Sequence, residues 1–271
     1  MTTSADDGPT AAEGLWDEVR IQPVKVALPG AVVGYTLRAY RPAGELTPTE
    51  VEREPDPFEK SAAAREPDDS ELPTAEGADA FGAEAPEAVE EPAPEEFEAD
   101  SEPAPQPPPD EEVPLFLSHR GRLLLFGSPE SLVSFITSDA PHDMTQLDTW
   151  DSLVKRVRPA DIAPADEDIY ELDLVVENLR GGHDAWDLHL LISAGEFARD
   201  VGYALRIEPV IAAMAPGSPL DDLDEALRAA AAGGFKGFRG RRQLRSIGAQ
   251  QASLGWRTII GKISAATDWR E

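Results

Sequence analysis

Between Phe235 and Arg245 the chain sets five cations, Lys236, Arg239, Arg241, Arg242 and Arg245, among two aromatic rings, Phe235 and Phe238. Ammonium and guanidinium groups neutralise anions, and rings stack on bases or pack on apolar side chains. The run therefore suits nucleic acid or the acidic surface of a protein. Anions are also available within the chain, since Asp221, Asp222, Asp224 and Glu225 stand just upstream. Three readings stay open at this point: a nucleic-acid contact, a protein or intramolecular anion, and a solvated loop. The periodicity predicts a helix from Arg241 to about Ala265. Cations at a helix N-terminus oppose the macrodipole, which adds to the expectation of an anion nearby.

Other constellations offer less. His183, Asp184, Asp187 and His189 are metal-ligand types. On a helix, however, His189 points well away from Asp187, so the group reads as helix capping. Glu167, Asp168, Glu171 and Asp173 include carboxylates of the kind used in acid–base work, but in so acidic a stretch they read as a solvated charge run. Ser118 and His119 have no elbow motif and no third member. Gly233-Gly234-Phe235-Lys236-Gly237 lacks the spacing of a phosphate loop. There is no cysteine, which excludes disulfides, thiolate metal sites and a thiol nucleophile. These features predict no catalytic residue, metal or cofactor, and a protein that is not an enzyme.

The formal net charge is −28, unevenly spread. From Glu45 to Glu112 there are 24 acidic against 3 basic residues, whereas Phe235 to Glu271 holds 8 basic against 2 acidic. The interruption from about 42 to 112 is nearly all Glu, Pro, Ala and Asp. It has too little apolar surface to offset the entropy of ordering, so it is expected to be disordered. Phe58, Phe81 and Phe97 stand alone among its acids and are candidate docking residues for a partner, against the alternative of a plain solvated tether. Residues 1–17 are expected to be disordered apart from an anchor at Leu15 and Trp16. No apolar run reaches membrane-span length and no leader is evident, so no membrane association and a cytoplasmic location are expected.

The elements that must position these groups can be read in part. Ile21, Val24, Val26 and Leu28 mark a strand, with Pro23 arguing for an edge. Val33 to Tyr40 alternates as a second strand, with Tyr35, Leu37 and Ala39 on one face and Thr36, Arg38 and Tyr40 on the other. Leu115 to Ser118, a turn at His119-Arg120-Gly121, and Arg122 to Phe126 predict a hairpin. Ser128 and Pro129 then open a short helix buried through Leu132, Val133, Phe135 and Ile136. Trp150 to Val157 suggests another short helix. Beyond the linker at 158–168 the pattern is helical. Tyr170–Leu179 is favoured as helix over strand. A longer helix is predicted from Ala185 to Leu205 with Asp184 as cap, then Ile207–Met214, then a helix capped by Ser218 and running to Ala232. The expectation is an α+β fold. A small antiparallel sheet of about four strands is contributed by 18–41 and 113–158 and interrupted by the insert, and a helical region with a basic last helix follows over 169–271.

LFLSHRGRLLLFGSPESLVSFITS, the following APHDMTQLDTWDSL and the terminal IGAQQASLGWRTIIGKI resemble an uncharacterised actinobacterial family. In that family a YTLRAYRP-like strand precedes a variable insert and a strand–turn–strand–helix block. The resemblance implies the same α+β core and a cytoplasmic location, and supplies no catalytic residue. Some members are labelled primosomal protein or DNA primase, which implies a DNA-binding accessory role. The leading expectation is a non-enzymatic interaction or regulatory protein, with an acidic tether, a basic helical tail and an unidentified protein partner. The alternative is a nucleic-acid-associated accessory protein of replication or repair.

Overall fold

The computed structural model describes residues 11–30, 32–51 and 107–271. Seven strands form one sheet: β1 (Gln22–Leu28), β2 (Val32–Pro42), β3 (Glu112–Phe116), β4 (Ser118–His119), β5 (Arg122–Phe126), β6 (Ile169–Glu171) and β7 (Thr267–Arg270). The main order is β4-β5-β2-β1-β6, with β3 also on β2 and β7 on β5. Leu28 pairs with Val32 and Gln22 with Arg38 along the first hairpin. The two-residue turn Arg120-Gly121 joins β4 to β5, with φ of 52° and 73°. Positive φ at both positions matches the right-handed twist of the flanking strands.

The α+β class is as expected, but the sheet is larger than four strands and not wholly antiparallel. Tyr170, expected in a helix, lies in β6, which pairs parallel to β1 over Lys25–Ala27. β7, unforeseen, runs parallel to β5. Pro23 is tolerated because β6 does not reach that end of β1.

Alternation along the strands sorts side chains between two cores. Val24, Val26, Leu28, Phe116, Leu123, Leu125 and Tyr170 face one helical layer. Ile21, Leu37, Ala39, Leu115, Leu117, Leu124 and Phe126 face the other. β5 is apolar from Leu123 to Phe126 because both faces are covered there.

The second layer holds α1 (Ala11–Val19), α2 (Pro129–Ile136) and α3 (Trp150–Arg156). The expected anchor is real: Leu15 and Trp16 are buried, and the Trp16 indole donates to the Asp161 carbonyl at 2.8 Å. They sit on a helix where disorder was expected. In α2 the Ser128 hydroxyl accepts from the Ser131 amide at 3.1 Å, with Pro129 at the first helical position. Pro has no amide hydrogen to waste there, so the cap and the proline fix this start together.

The first layer holds α4 (Leu172–Arg180), α5 (Leu188–Ala204), α6 (Glu208–Ala213), α7 (Pro219–Ala231), α8 (Gly234–Leu244) and α9 (Ala249–Ala265). The helix expected from Arg241 is in fact two, separated by the residues between Leu244 and Ala249. Residues 43–51, expected within the interruption, lie on the folded body. The Thr49 hydroxyl donates to Asp143 at 2.7 Å and accepts from the Gly121 amide at 3.1 Å. The Thr47 amide donates to Gln146 at 2.7 Å. Phe58, Phe81 and Phe97 lie outside the described residues.

Candidate functional site

Two charged regions compete for the role of site. The first is a polar cavity of about 390 Å³ whose floor is Arg38 on β2. Strand alternation turns Arg38 and Tyr40 toward the first helical layer, opposite Leu37 and Ala39. Arg38 donates to the Tyr170 hydroxyl at 2.6 Å and to Asp168 at 2.5 Å, and its Nη1 lies 3.6 Å from Asp200. The Tyr40 hydroxyl donates to Asp200 at 2.5 Å. Asp168, expected in a solvated charge run, is buried. Desolvation pushes the Asp168 and Asp200 carboxyls above their ordinary range, against the pull of Arg38. It likewise pushes Tyr40 up, helped by its bond to Asp200. Burial also opposes the Arg38 charge, but Tyr170, Tyr40 and Asp168 together outweigh it and hold the pKa above its ordinary value.

Toward the rim, Arg199 bonds Asp224 at 2.9 Å and Asp221 at 3.2 Å. Arg228 bonds Asp224 at 2.8 Å and Glu196 at 3.0 Å. Of the carboxylates lining the cavity, Asp168, Asp200 and Glu196 each accept from an arginine or tyrosine. Asp168 precedes β6 and Asp200 lies on α5, so the network clamps three elements together. Arg38 Nε and the Gln22 Oε1 beside it on β1 are buried without a partner. Both residues line the cavity, and these two atoms are closed to solvent. The arrangement fits a structural clamp better than a receptor for a ligand.

The second region is α8. Its buried residues are Gly237, Gly240 and Leu244, one face at helical spacing. Gly240 lies against α7 so closely that an added Cβ would stand 2.4 Å from the Ala230 nitrogen. Only glycine permits that approach, and the packing overrides the poor helix propensity of four glycines in GGFKGFRG. The opposite face consequently carries everything else. Phe235 is 78% exposed and Phe238 67% exposed. Lys236, Arg239, Arg241, Arg242 and Arg245 are all exposed, and none forms an ion pair with the described residues. Of the four acids of α7, Asp221 is engaged by Arg199 and Asp224 by Arg199 and Arg228, while the exposed Asp222 and Glu225 form no ion pair with these cations.

All five predicted cations are therefore brought together, four on α8 and Arg245 at its C-cap, where a loop leading into a helix from Arg241 was expected. Arg241 and Arg242 lie in the last turn of α8, where they suit the dipole, and not at the start of a longer helix. Lys236, Arg239, Arg242 and Arg245 recur every third residue and form one oblique row. Phe235, Phe238 and Arg241 form a parallel row beside it.

The remaining sequence candidates resolve into structure. Asp187, and not Asp184, caps α5, accepting from the His189 and Leu190 amides at 3.0 and 3.1 Å. The His183 ring meets the Ile247 carbonyl at 2.8 Å and packs on Trp186. Ser118 donates to Asp143 at 2.8 Å with no imidazole between them. Among the described residues no group of three or more metal-ligating side chains converges. His142 was not singled out by sequence. It is buried between Phe135 and Trp150, with Nδ1 unpartnered, and burial pushes its pKa down to about 4.

Sheet, paired helical layers and a displayed basic helix define an α+β protein. The chain belongs to the SatS C-terminal domain family, whose model matches residues 104–264. A solved structure titled "The crystal structure of SatS c-terminal domain in complex with bromine" is similar at 19% identity, covering 94% of this chain and 96% of that chain, with a TM-score of 0.57. At that identity the likeness shows the fold. No curated protein matches the chain. Among the described residues no helix is long and apolar enough to cross a membrane.

Proposed function

We propose that the chain is a non-enzymatic interaction protein that recognises an anionic partner through the outer face of α8. The observation that carries the reading is that this face, with five cations and two exposed phenylalanines, forms no ion pair among the described residues, while Asp221 and Asp224 of the neighbouring helix are held by Arg199 and Arg228. Clusters of arginine and aromatic side chains are favoured at recognition surfaces. The clamp around Arg38 supports the non-enzymatic part, because its carboxylates are tied to structural partners. The cysteine-free composition agrees with a reducing, cytoplasmic compartment.

A second reading rests on the same helix. Cations interleaved with rings also suit single-stranded nucleic acid, as an accessory protein of replication or repair would require. Fluorescence anisotropy with labelled single- and double-stranded DNA, at low and moderate salt, separates the two. The interaction-protein reading expects weak DNA binding at low salt that moderate salt removes. DNA binding that persists at moderate salt, and that Arg241→Glu, Arg242→Glu and Arg245→Glu together abolish, puts the nucleic-acid reading first.

A further inference from the structure

The α8 face is narrow, and that limits what it can hold. Eleven residues of helix span about 16 Å. The neighbouring residues of the oblique row have Cβ atoms about 5–6 Å apart. Alternate side chains of an extended polypeptide repeat at about 6.6 Å, and acids one turn apart on a helix repeat at a similar spacing. The flexible stems of lysine and arginine absorb the difference. Beside the row, Phe235 and Phe238 are neighbours one turn apart and leave an apolar strip on the same side.

We infer that the partner at α8 is an acidic polypeptide segment with at least one large apolar side chain. Its carboxylates lie along Lys236, Arg239, Arg242 and Arg245, and its apolar residue packs on Phe235 and Phe238. The inference rests on the reading of α8 as the recognition surface and specifies the partner. Two observations favour a peptide over nucleic acid. The chain carries a net charge of −28, so a dense polyanion reaching past this short helix is repelled, whereas a sparsely charged segment is not. The two rings sit to one side of the cation row and not on both sides of it, which suits a chain with one charged and one apolar edge.

The test uses the full chain and fluorescence anisotropy. The first probe is a labelled synthetic peptide of about a dozen residues, alternating Glu and Ser with one central Phe, a length that covers the face when extended. Controls replace every Glu by Gln, or the Phe by Ala. The second probe is a labelled oligothymidine of the same formal charge. The expected result is saturable peptide binding that weakens with salt and with either control. It should fall at least about tenfold in Arg239→Glu/Arg242→Glu and in Phe235→Ala/Phe238→Ala, and be retained in Arg239→Lys/Arg242→Lys. Tighter binding of the oligonucleotide, lost in the Glu variant, overturns the peptide assignment and leaves α8 as the recognition surface. If no probe responds to any α8 variant, both the assignment and the reading of α8 fail. All variants change exposed side chains, and circular dichroism confirms that the fold is kept.

Discussion

The Arg38 clamp and the α8 face hold arginines in opposite circumstances. Arg38 has 10% of its side chain exposed and meets Tyr170, Asp168 and Asp200. The α8 cations are exposed and meet no described carboxylate. Charge density alone would nominate either region as a site. What separates them is satisfaction. A buried charge must be paired because desolvating it alone is costly, so pairing there reports on the fold. An exposed cluster of like charge with rings among it gains nothing for the fold and is informative for that reason. Asp221 and Asp224 of the neighbouring α7 fall on the satisfied side of that contrast, engaged by Arg199 and Arg228.

The largest predicted effect breaks the clamp. Arg38→Ala leaves the buried Asp168 and the partly buried Asp200 without their cation and should cost about 3–5 kcal/mol of stability in urea denaturation at neutral pH. Arg38 lowers both carboxyl pKa values from where burial alone would set them, so its loss raises them further. Protons then neutralise the two acids as the pH falls, and the deficit of the variant should shrink on acidification. A deficit that grows on acidification would mean that Arg38 is not what lowers these two carboxyl pKa values.

His142 has the opposite sign. Its folded pKa of about 4 lies below the unfolded 6.5. Its contribution is therefore full above 6.5 and is lost as the pH falls toward 4, by at most about 3 kcal/mol. His142→Phe keeps a ring between Phe135 and Trp150 and should flatten the decline in stability between those pH values. Gly240→Ala comes next. Its Cβ meets backbone atoms of Ala229 and Ala230 that cannot rotate aside, and about 1–3 kcal/mol of destabilisation is expected in thermal melts. The smallest effect completes the comparison: Arg239→Glu/Arg242→Glu should leave stability within about 0.5 kcal/mol while removing binding.

Much of this was legible in the sequence. The Ser128–Pro129 cap, the turn at Arg120-Gly121 and the two faces of β2 follow from local chemistry, and all stand in the structure. All five α8 cations were also visible as a cluster. The helix that carries them was not, because GGFKGFRG reads as a breaker until α7 supplies a surface that only glycine can approach. The clamp was missed for a different reason. Arg38 and Asp168 meet across 130 residues of chain, and nothing near Asp168 distinguishes a buried acid from its solvated neighbours. The one available signal was an arginine and a tyrosine alternating on a strand face whose reverse is apolar. β6 and β7 escaped because three or four residues are too few to show a period.

The pairing of Leu123–Phe126 with Thr267–Arg270 also sets a timetable. During synthesis, the most apolar strand of the sheet leaves the ribosome about 140 residues before its parallel neighbour exists, so one of its edges must wait unpaired. An uncovered edge of that composition invites pairing with other chains. Newly made protein should therefore pass through a sticky stage that ends only when β7 docks, and conditions that slow elongation between the two strands should lower soluble yield without altering the finished fold.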